Sequence, residues 1–146
     1  MLQGFATLNI YADDIEKAAE WYTEVFGIAP YYSVPGGYIE FRVGADEDEF
    51  GIISSAWAPP GATDGPAGQI MHWHTDDIEA TLARLLELGA TRYQPPTPHG
   101  DGDFITAAVV DPFGNILGFM QNPHFAELHR AAASGGGETH MEQNRG

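Results

Sequence analysis

The chain of 146 residues contains no cysteine, which excludes disulfides, thiolate metal sites and cysteine nucleophiles. It has no uninterrupted apolar run of about 18 residues, so the sequence predicts no membrane-spanning helix. The opening stretch MLQGFATLNIYADD lacks a basic segment followed by an apolar one, and no signal peptide is predicted. These absences favour a cytoplasmic protein that does not associate with membranes.

Basic residues are also scarce. Six Lys and Arg stand against 21 Asp and Glu, giving a net charge of −15. Phosphate backbones are bound by clustered Lys and Arg, so nucleic acid is not an expected partner. The negative field would attract a cationic ligand. The same acids are equally explained by solubility alone.

Two segments of the chain repeat each other. TLNIYADDIEKAAEWYTEVFG begins at Thr7, and IMHWHTDDIEATLARLLELGA begins at Ile70. They align through DDIE, with a shift of 63 residues from Asp13 to Asp76. Each copy predicts a strand and then an amphipathic helix, with that aspartate as the N-cap. A glycine follows each helix and can end it in the left-handed conformation.

Strand signals separated by Pro- and Gly-rich turns follow each predicted helix. Each half therefore reads as strand, helix and three strands, which predicts an α+β fold. Module one spans 4–58, a Pro/Gly-rich linker spans 59–68 and module two spans 69–125, all within one domain, 1–127. The Gly-rich, polar segment 128–146 is predicted to be a disordered tail.

This pattern resembles a known superfamily. The two βαβββ units, the segment DDIEKAAEWYTEVFG and the segment VVDPFGNILGFMQ are similar to the vicinal oxygen chelate superfamily. That superfamily includes glyoxalase I, extradiol dioxygenases, fosfomycin-resistance enzymes and bleomycin-resistance proteins. The resemblance covers residues 4–125 and implies a half-open curved barrel around a cleft. It also implies a homodimer, as in bleomycin-resistance proteins. One fold carries many activities, so it does not specify one.

The resemblance also gives positions for metal ligands. Metal-dependent members carry them on the first and last strands of each module. Here three of these positions fall on Thr7, Ile70 and Gly118. The fourth lies in GIISSAW, which contains no acid, and Glu49 is placed in the turn before it. The resemblance therefore implies a site without a metal.

Alternation along the strands predicts which side chains face the cleft, because residues two apart share a face. Polar and aromatic residues alternate with apolar ones that should meet the helices. The predicted ligand-binding residues are Thr7, Asn9, Tyr11, Tyr38, Glu40, Trp57, His72, His74, Gly118 and Met120. Trp57 could instead serve only as a packing residue.

The His-x-His pair, His72 and His74, allows three interpretations. Both rings could reach one zinc or iron ion, but a third ligand would be needed, and Glu40, His99 or Asp101 are conceivable. The rings could line the cleft with ordinary hydrogen bonds. They could also contact a ligand directly, since imidazole both donates and accepts.

Two other sets of polar residues have structural explanations. His99 lies in the predicted loop 97–103 and is expected to be exposed. Asp111 and Asn115 of the DPFGN segment are expected to shape a turn through bonds from side chain to backbone.

The leading hypothesis is a metal-free protein of the bleomycin-resistance type that binds a small organic molecule, with an antibiotic as one candidate. The alternative is a glyoxalase-like enzyme. It would be a metal-dependent lyase, isomerase or dioxygenase with a divalent metal at His72 and His74, or a metal-free enzyme with a histidine general base. The sequence assigns no catalytic residue.

Overall fold

The computed structural model describes residues 1, 6–62, 65–66 and 70–135. Its elements are, in chain order, β1 (Thr7–Ala12), α1 (Ile15–Phe26), β2 (Tyr32–Val34), β3 (Tyr38–Val43), β4 (Asp48–Ser54), a 3-10 turn (Ser55–Trp57), β5 (His72–His74), α2 (Ile78–Glu87), β6 (Thr91–His99), β7 (Phe104–Val110), β8 (Ile116–Gln121) and α3 (Pro123–Gly135). The predicted repeat of strand, helix and three strands is confirmed. No helix among the described residues has the length and apolar character needed to cross a membrane.

The two halves form two four-stranded sheets with the same topology. The strand orders are β1-β4-β3-β2 and β5-β8-β7-β6. In each sheet the first and last strands of the module pair in parallel, and the remaining pairs are antiparallel. Strand β5 is shorter than predicted, because it begins at His72 and not at Ile70. The duplicated sequence therefore folds as a duplicated structure.

The first two helices begin one residue later than the sequence suggested. The side chains of Asp14 and Asp77, and not those of Asp13 and Asp76, accept from the backbone N–H groups three residues on. Adjacent aspartates make both positions chemically suitable as caps, and the backbone geometry selects the second. Gly27 ends α1 with φ of 68°, as predicted.

One hydrophobic core extends through both modules. Its largest fully buried side chains are Tyr22, Phe41, Phe50, Ile52 and Val109. Trp73 of β5 packs against Phe50 of β4, with ring centroids 5.9 Å apart. The helix-facing sides of the two sheets therefore share one interior.

Two hydrogen bonds join the modules near the ends of their helices. The indole Nε1 of Trp21 donates to the carbonyl of Leu88 at 2.7 Å. The Nδ2 of Asn115 donates to the carbonyl of Tyr11 at 2.9 Å. Each satisfies a backbone oxygen at the end of an element in the other module.

A buried polar contact also links α1 to the β7–β8 turn. The hydroxyl of Tyr22 donates to Asp111 Oδ2 at 2.6 Å. Burial raises the pKa of Tyr22 well above its usual value, and the charge and hydrogen bond of Asp111 raise it further. Asp111 Oδ1 accepts from the backbone N–H groups of Phe113 and Asn115, which confirms the predicted role of Asp111 in shaping the turn.

Strand β6 is longer than the sequence suggested. It reaches His99 and includes Pro95, Pro96 and Pro98, although 97–103 was interpreted as a loop. Proline lacks an N–H donor and is therefore tolerated in an edge strand, the position that β6 occupies. The register of β6 with β7 shifts between Arg92 and Thr97, which accommodates the irregular backbone.

The third helix changes the predicted end of the domain. Residues 123–135 are helical, so the interpretation of 128–146 as a disordered tail is wrong for 128–135. Asn122 caps this helix, because its Oδ1 accepts from the N–H of His124 at 3.0 Å. Residues 136–146 of the predicted tail lie outside the described part, as do 4–5 of module one, 63–64 and 67–68 of the linker, and the first residue of module two, 69.

Candidate functional site

Polar and aromatic side chains share the face of the first sheet that is turned away from α1. We call it the first-sheet face; its residues are Thr7, Asn9, Tyr11, Tyr32, Tyr38, Glu40, Arg42, Glu49 and Gly51, together with the apolar Val34 and Ile53. The cross-strand partners fix this grouping, since opposed residues point to the same side. On the opposite face Ile10, Ala12, Ile39 and Phe41 are buried. The alternation predicted for β1 and β3 is confirmed.

Tyr38 and Glu40 form a short hydrogen bond on this face. The phenol of Tyr38 donates to Glu40 Oε2 at 2.6 Å. Burial raises the pKa of Tyr38 above its usual value, and the hydrogen bond to Glu40 and the charges of Glu40 and Glu49 raise it further. The hydrogen bond uses Glu40 Oε2, and Glu40 Oε1 has no hydrogen-bond partner among the described residues, so it can accept from another group.

Gly51 of β4 allows this cluster to form. A Cβ atom at this position would meet the side-chain oxygen of Asn9 and lie 2.6 Å from Tyr38 Cε2. Asn9 and Tyr38 therefore converge above the glycine backbone. Three strands thus contribute to one compact polar patch.

An aromatic side chain lies beside the patch. Tyr32 is opposite Glu40, and its ring is 6.5 Å from that of Tyr38. Tyr32 was not predicted, although pairing across the Pro35–Gly37 turn would have placed it beside Glu40. The Trp57 ring covers Gly37, and 61% of Trp57 is exposed, so Trp57 is not part of the core. Because Gly37 alternates with Tyr38, this ring lies toward the other side of the strand from the Tyr38–Glu40 pair.

Glu49 does not lie where the sequence suggested. It belongs to β4 and not to the preceding turn, so the last strand of module one does carry an acid. The side chain is 3.9 Å from Arg42 Nη2. Arg42 also lies over the ring of Tyr31, 3.8 Å from its centroid. The single cation of this face is thus already engaged by a carboxylate and an aromatic ring.

The two histidines of β5 differ in their surroundings. His74 Nε2 donates to Asp76 Oδ1 at 3.1 Å, and His74 Nδ1 accepts from the N–H of Asn122 at 3.3 Å. Its ring stacks on Phe125 of α3, with centroids 4.6 Å apart. Only 14% of the His74 side chain is exposed. His74 therefore attaches α3 to the sheet, a role that the sequence did not indicate because α3 was not predicted.

His72 lies beside Gly118. A Cβ atom at Gly118 would be 2.9 Å from His72 Cδ2 and 2.7 Å from both Ile70 Cγ2 and the carbonyl oxygen of Met71. Within the described residues the ring nitrogens of His72 have no hydrogen-bond partner in the protein. Gly118 itself is buried, and it is therefore not open to a ligand.

The remaining predicted residues of the second sheet also have protein partners. The thioether of Met120 accepts from Asn122 Nδ2 at 3.7 Å. Thr106, opposite Met120, is joined to His99 Nε2 by a hydrogen bond of 2.8 Å. His99 is exposed as predicted, although it ends a strand and does not lie in a loop. The ten predicted residues thus divide between two sheets, and the compact cluster lies on the first.

The metal site of the metal-dependent superfamily members does not fit the side chains at the corresponding positions here. The hydroxyl of Thr7 donates to the carbonyl of Glu49 at 3.3 Å, and Ile70 has no donor atom in its side chain. A side chain at Gly118 would collide with backbone. The described residues contain no group of three His, Asp or Glu side chains placed to hold one ion. Glu40, His99 and Asp101 therefore do not complete a site with His72 and His74.

Comparison with known proteins places this geometry in a family. Residues 4–119 match the model of the Glyoxalase/Bleomycin resistance protein/Dioxygenase superfamily. The chain belongs to this superfamily. The predicted resemblance is therefore confirmed, as is the α+β fold of two βαβββ modules. Among curated proteins none matches the sequence significantly.

Several solved structures share the fold. A glyoxalase-related enzyme from Fulvimarina pelagi has a TM-score of 0.65 and 21% identity, over 84% of this chain and 90% of that one. The fosfomycin resistance protein FosX from Mesorhizobium loti has a TM-score of 0.63 and 16% identity, over 88% and 99%. TioX from Micromonospora sp. ML1 has a TM-score of 0.61 and 16% identity, over 82% and 98%.

Proposed function

We propose that this superfamily member binds a small cationic organic molecule on the first-sheet face, without a metal ion and without altering it chemically. The observation that carries this proposal is the Tyr38–Glu40 pair, 2.6 Å apart, with the exposed ring of Tyr32 lying 6.5 Å from that of Tyr38. A carboxylate beside aromatic faces is suited to an organic cation, because both attract positive charge.

Charge supports the same class of ligand. Glu40 and Glu49 face outward on this surface, and its one cation, Arg42, is bound by Glu49 and Tyr31. The net charge of −15 adds a long-range attraction for cations. An anionic guest would meet both carboxylates and find no free positive group among the described residues of this face.

Passive binding is preferred over catalysis because of how the polar groups are used. The hydroxyl of Tyr38 and one oxygen of Glu40 are already joined to each other by a hydrogen bond. Resistance proteins that sequester a drug need only complementarity, and the superfamily contains such members. By the same resemblance we infer a homodimer, in which a second copy would complete the cleft.

The competing hypothesis is a glyoxalase-like enzyme that uses His72 as a general base. One observation favours it, namely that the nitrogens of His72 have no hydrogen-bond partner among the described residues. A general base must reach a substrate proton directly or through one water. His72 lies beside the buried Gly118 and beside Ile70, which leaves a substrate only a narrow approach to the ring.

Calorimetric titration with basic antibiotics and aromatic amines, each paired with a neutral analogue, tests the proposal. We expect a dissociation constant tighter than about 0.1 mM, equivalent to roughly −5.5 kcal/mol, for at least one cation. Glu40→Gln should weaken binding about tenfold or more, whereas Glu20→Gln, on the exposed surface of α1, should leave it unchanged.

Metal analysis separates the alternatives. Protein purified without chelators should carry no stoichiometric iron, zinc, manganese or nickel. If one of these metals is present and is lost in the His72→Ala His74→Ala double variant, the metal-free proposal is wrong. Binding of neutral analogues as tight as that of the cations would contradict the role of Glu40.

A further inference from the structure

A second recess lies between the two modules, on the helix side of the sheets. Its volume is about 630 Å³, within the range typical of small-molecule sites. The apolar part of its wall consists of Val25, Phe26, Val43, Trp73, Ala80, Leu85, Leu88, Leu117 and Phe119. We call it the intermodular recess, because α1 and β3 supply one side of the wall and β5, α2 and β8 supply the other.

The intermodular recess is separate from the first-sheet face. Val43 follows Arg42 in β3, and alternation directs these two side chains to opposite sides of the sheet. Phe26 belongs to α1, which packs on the side away from Tyr38 and Glu40. A molecule in the recess would therefore not contact the Tyr38–Glu40 pair.

The wall favours an aromatic guest. The rings of Phe26 and Trp73 have centroids 5.2 Å apart and an interplanar angle of 53°, which gives two flat apolar surfaces. The branched side chains of Val25, Val43 and Leu85 add aliphatic surface. Aromatic guests gain from burial against such surfaces and from ring–ring contacts.

The rim disfavours a charged guest. The Thr75 and Thr81 hydroxyls are 2.6 Å apart, and Arg84 is 3.5 Å from Glu24 and 3.6 Å from Glu87. Asp76, whose side chain is 96% exposed, and Asp77 would repel an anion at the rim. A cation buried against the apolar wall would lose its hydration. The Nε1 of Trp73 in that wall is buried without a hydrogen-bond partner among the described residues, and it is an uncharged donor.

We propose that the intermodular recess binds a neutral organic molecule that contains an aromatic ring. This site is independent of the cationic ligand proposed for the first-sheet face. Neither the superfamily match nor the structural neighbours assign it. The volume and the apolar wall, whose buried Trp73 Nε1 is an uncharged donor, together favour this ligand class over an ion or a charged peptide.

Toluene is a suitable probe, and the three tryptophans are the reporters. Their indole N–H resonances are assigned with Trp21→Phe, Trp57→Phe and Trp73→Phe. Toluene should shift the Trp73 resonance in a saturable way and leave Trp57 unchanged, since Trp73 lines the recess and Trp57, which packs over Gly37, does not. Benzylamine and benzoate should have at least about tenfold weaker effects on Trp73.

A matched pair of variants locates the probe. Ala80 and Ala83 are both exposed on α2, but only Ala80 lines the recess. Ala80→Phe should weaken toluene binding about tenfold, and Ala83→Phe should leave it within about twofold. Equal affinity in both variants, or no saturable shift of Trp73, overturns the proposal. A change of oligomeric state in Ala80→Phe without any toluene effect also overturns it, because a second copy would then cover the recess. Calorimetric titration of the Glu40→Gln variant with aromatic amines tests the first-sheet face separately.

Discussion

Asn9 and His72 occupy the same position in the two modules, each opposite a glycine of the adjacent parallel strand. Asn9 pairs with Gly51, and His72 pairs with Gly118. In both modules the side chain leans over its glycine. The duplication has thus kept a geometry in which a small residue on the last strand makes room for a polar residue on the first.

The two glycines should respond differently to alanine. At Gly118 a Cβ atom would lie 2.7 Å from the backbone oxygen of Met71, which cannot move without distorting the strand. We expect Gly118→Ala to lower the free energy of unfolding by about 1–3 kcal/mol in urea denaturation. At Gly51 the obstacles are the side chains of Asn9 and Tyr38, which can rotate away.

Gly51→Ala is therefore expected to cost less stability but to displace Tyr38 from Glu40. The pKa of Tyr38 should then fall back toward its usual value, which a spectrophotometric titration of tyrosinate would detect. Equal losses of stability in the two variants would show that the side chains of Asn9 and Tyr38 are as constrained as the backbone near Gly118.

Tyr22 should contribute to stability through its single polar contact. Tyr22→Phe removes the donor to Asp111 Oδ2, leaving this buried oxygen with only Asn115 Nδ2 at 3.2 Å. The expected loss in the free energy of unfolding is about 1–3 kcal/mol. Tyr32→Phe, which removes the hydroxyl of a half-exposed side chain, should have little effect. Similar unfolding midpoints for the two variants would contradict this prediction.

Alkaline pH should destabilise the fold through Tyr22 and Tyr38. Burial raises the pKa of both Tyr22 and Tyr38, so the folded chain keeps their protons after the unfolded chain has released them. Their contribution to stability is complete below about pH 10, the usual tyrosine pKa, and is lost as the pH rises above it. Tyr22→Phe and Tyr38→Phe should each flatten this fall, whereas exposed Tyr93→Phe should not. Identical pH profiles of stability for the three variants would show that Tyr22 and Tyr38 do not cause the alkaline loss of stability.

The sequence predicted the parts of the fold that depend on periodicity. The DDIE repeat and the alternation in β1 and β3 were sufficient to place both modules and to identify the first-sheet face. Local chemistry was also readable, since Asp111 shapes its turn as expected. These features depend on short-range rules that hold without knowledge of tertiary contacts.

Features set by tertiary contacts were not predictable from the sequence. Alternation along the strand suggested that His72 and His74 have the same surroundings, but α3 packs against His74. Strand β6 absorbs three prolines because it is an edge, a property that depends on strand order. Glu49 was placed in a turn because the acidic run before it hides the start of β4.

Helix α3 provides a prediction about local stability. Phe125 is the middle ring of a three-ring stack, 4.6 Å from His74 and 3.9 Å from His129 by centroid distance. His129 Nε2 is also 3.3 Å from Asp46 Oδ2 in the β3–β4 turn, so α3 contacts both modules. Phe125→Ala removes both ring contacts, each worth about 0.5–1.5 kcal/mol.

The helix should therefore detach more often in Phe125→Ala, and trypsin should cleave after Arg130 roughly five- to a hundredfold faster, because cleavage follows the population of the open state. Leu128→Ala is the matched control: it places the same residue in the same helix, and Leu128 is 54% exposed. Phe→Ala gains more helix propensity than Leu→Ala, which would slow cleavage of Phe125→Ala, so faster cleavage of that variant reports the lost stack. Equal cleavage rates for the two would mean that the stack does not hold α3 against β5.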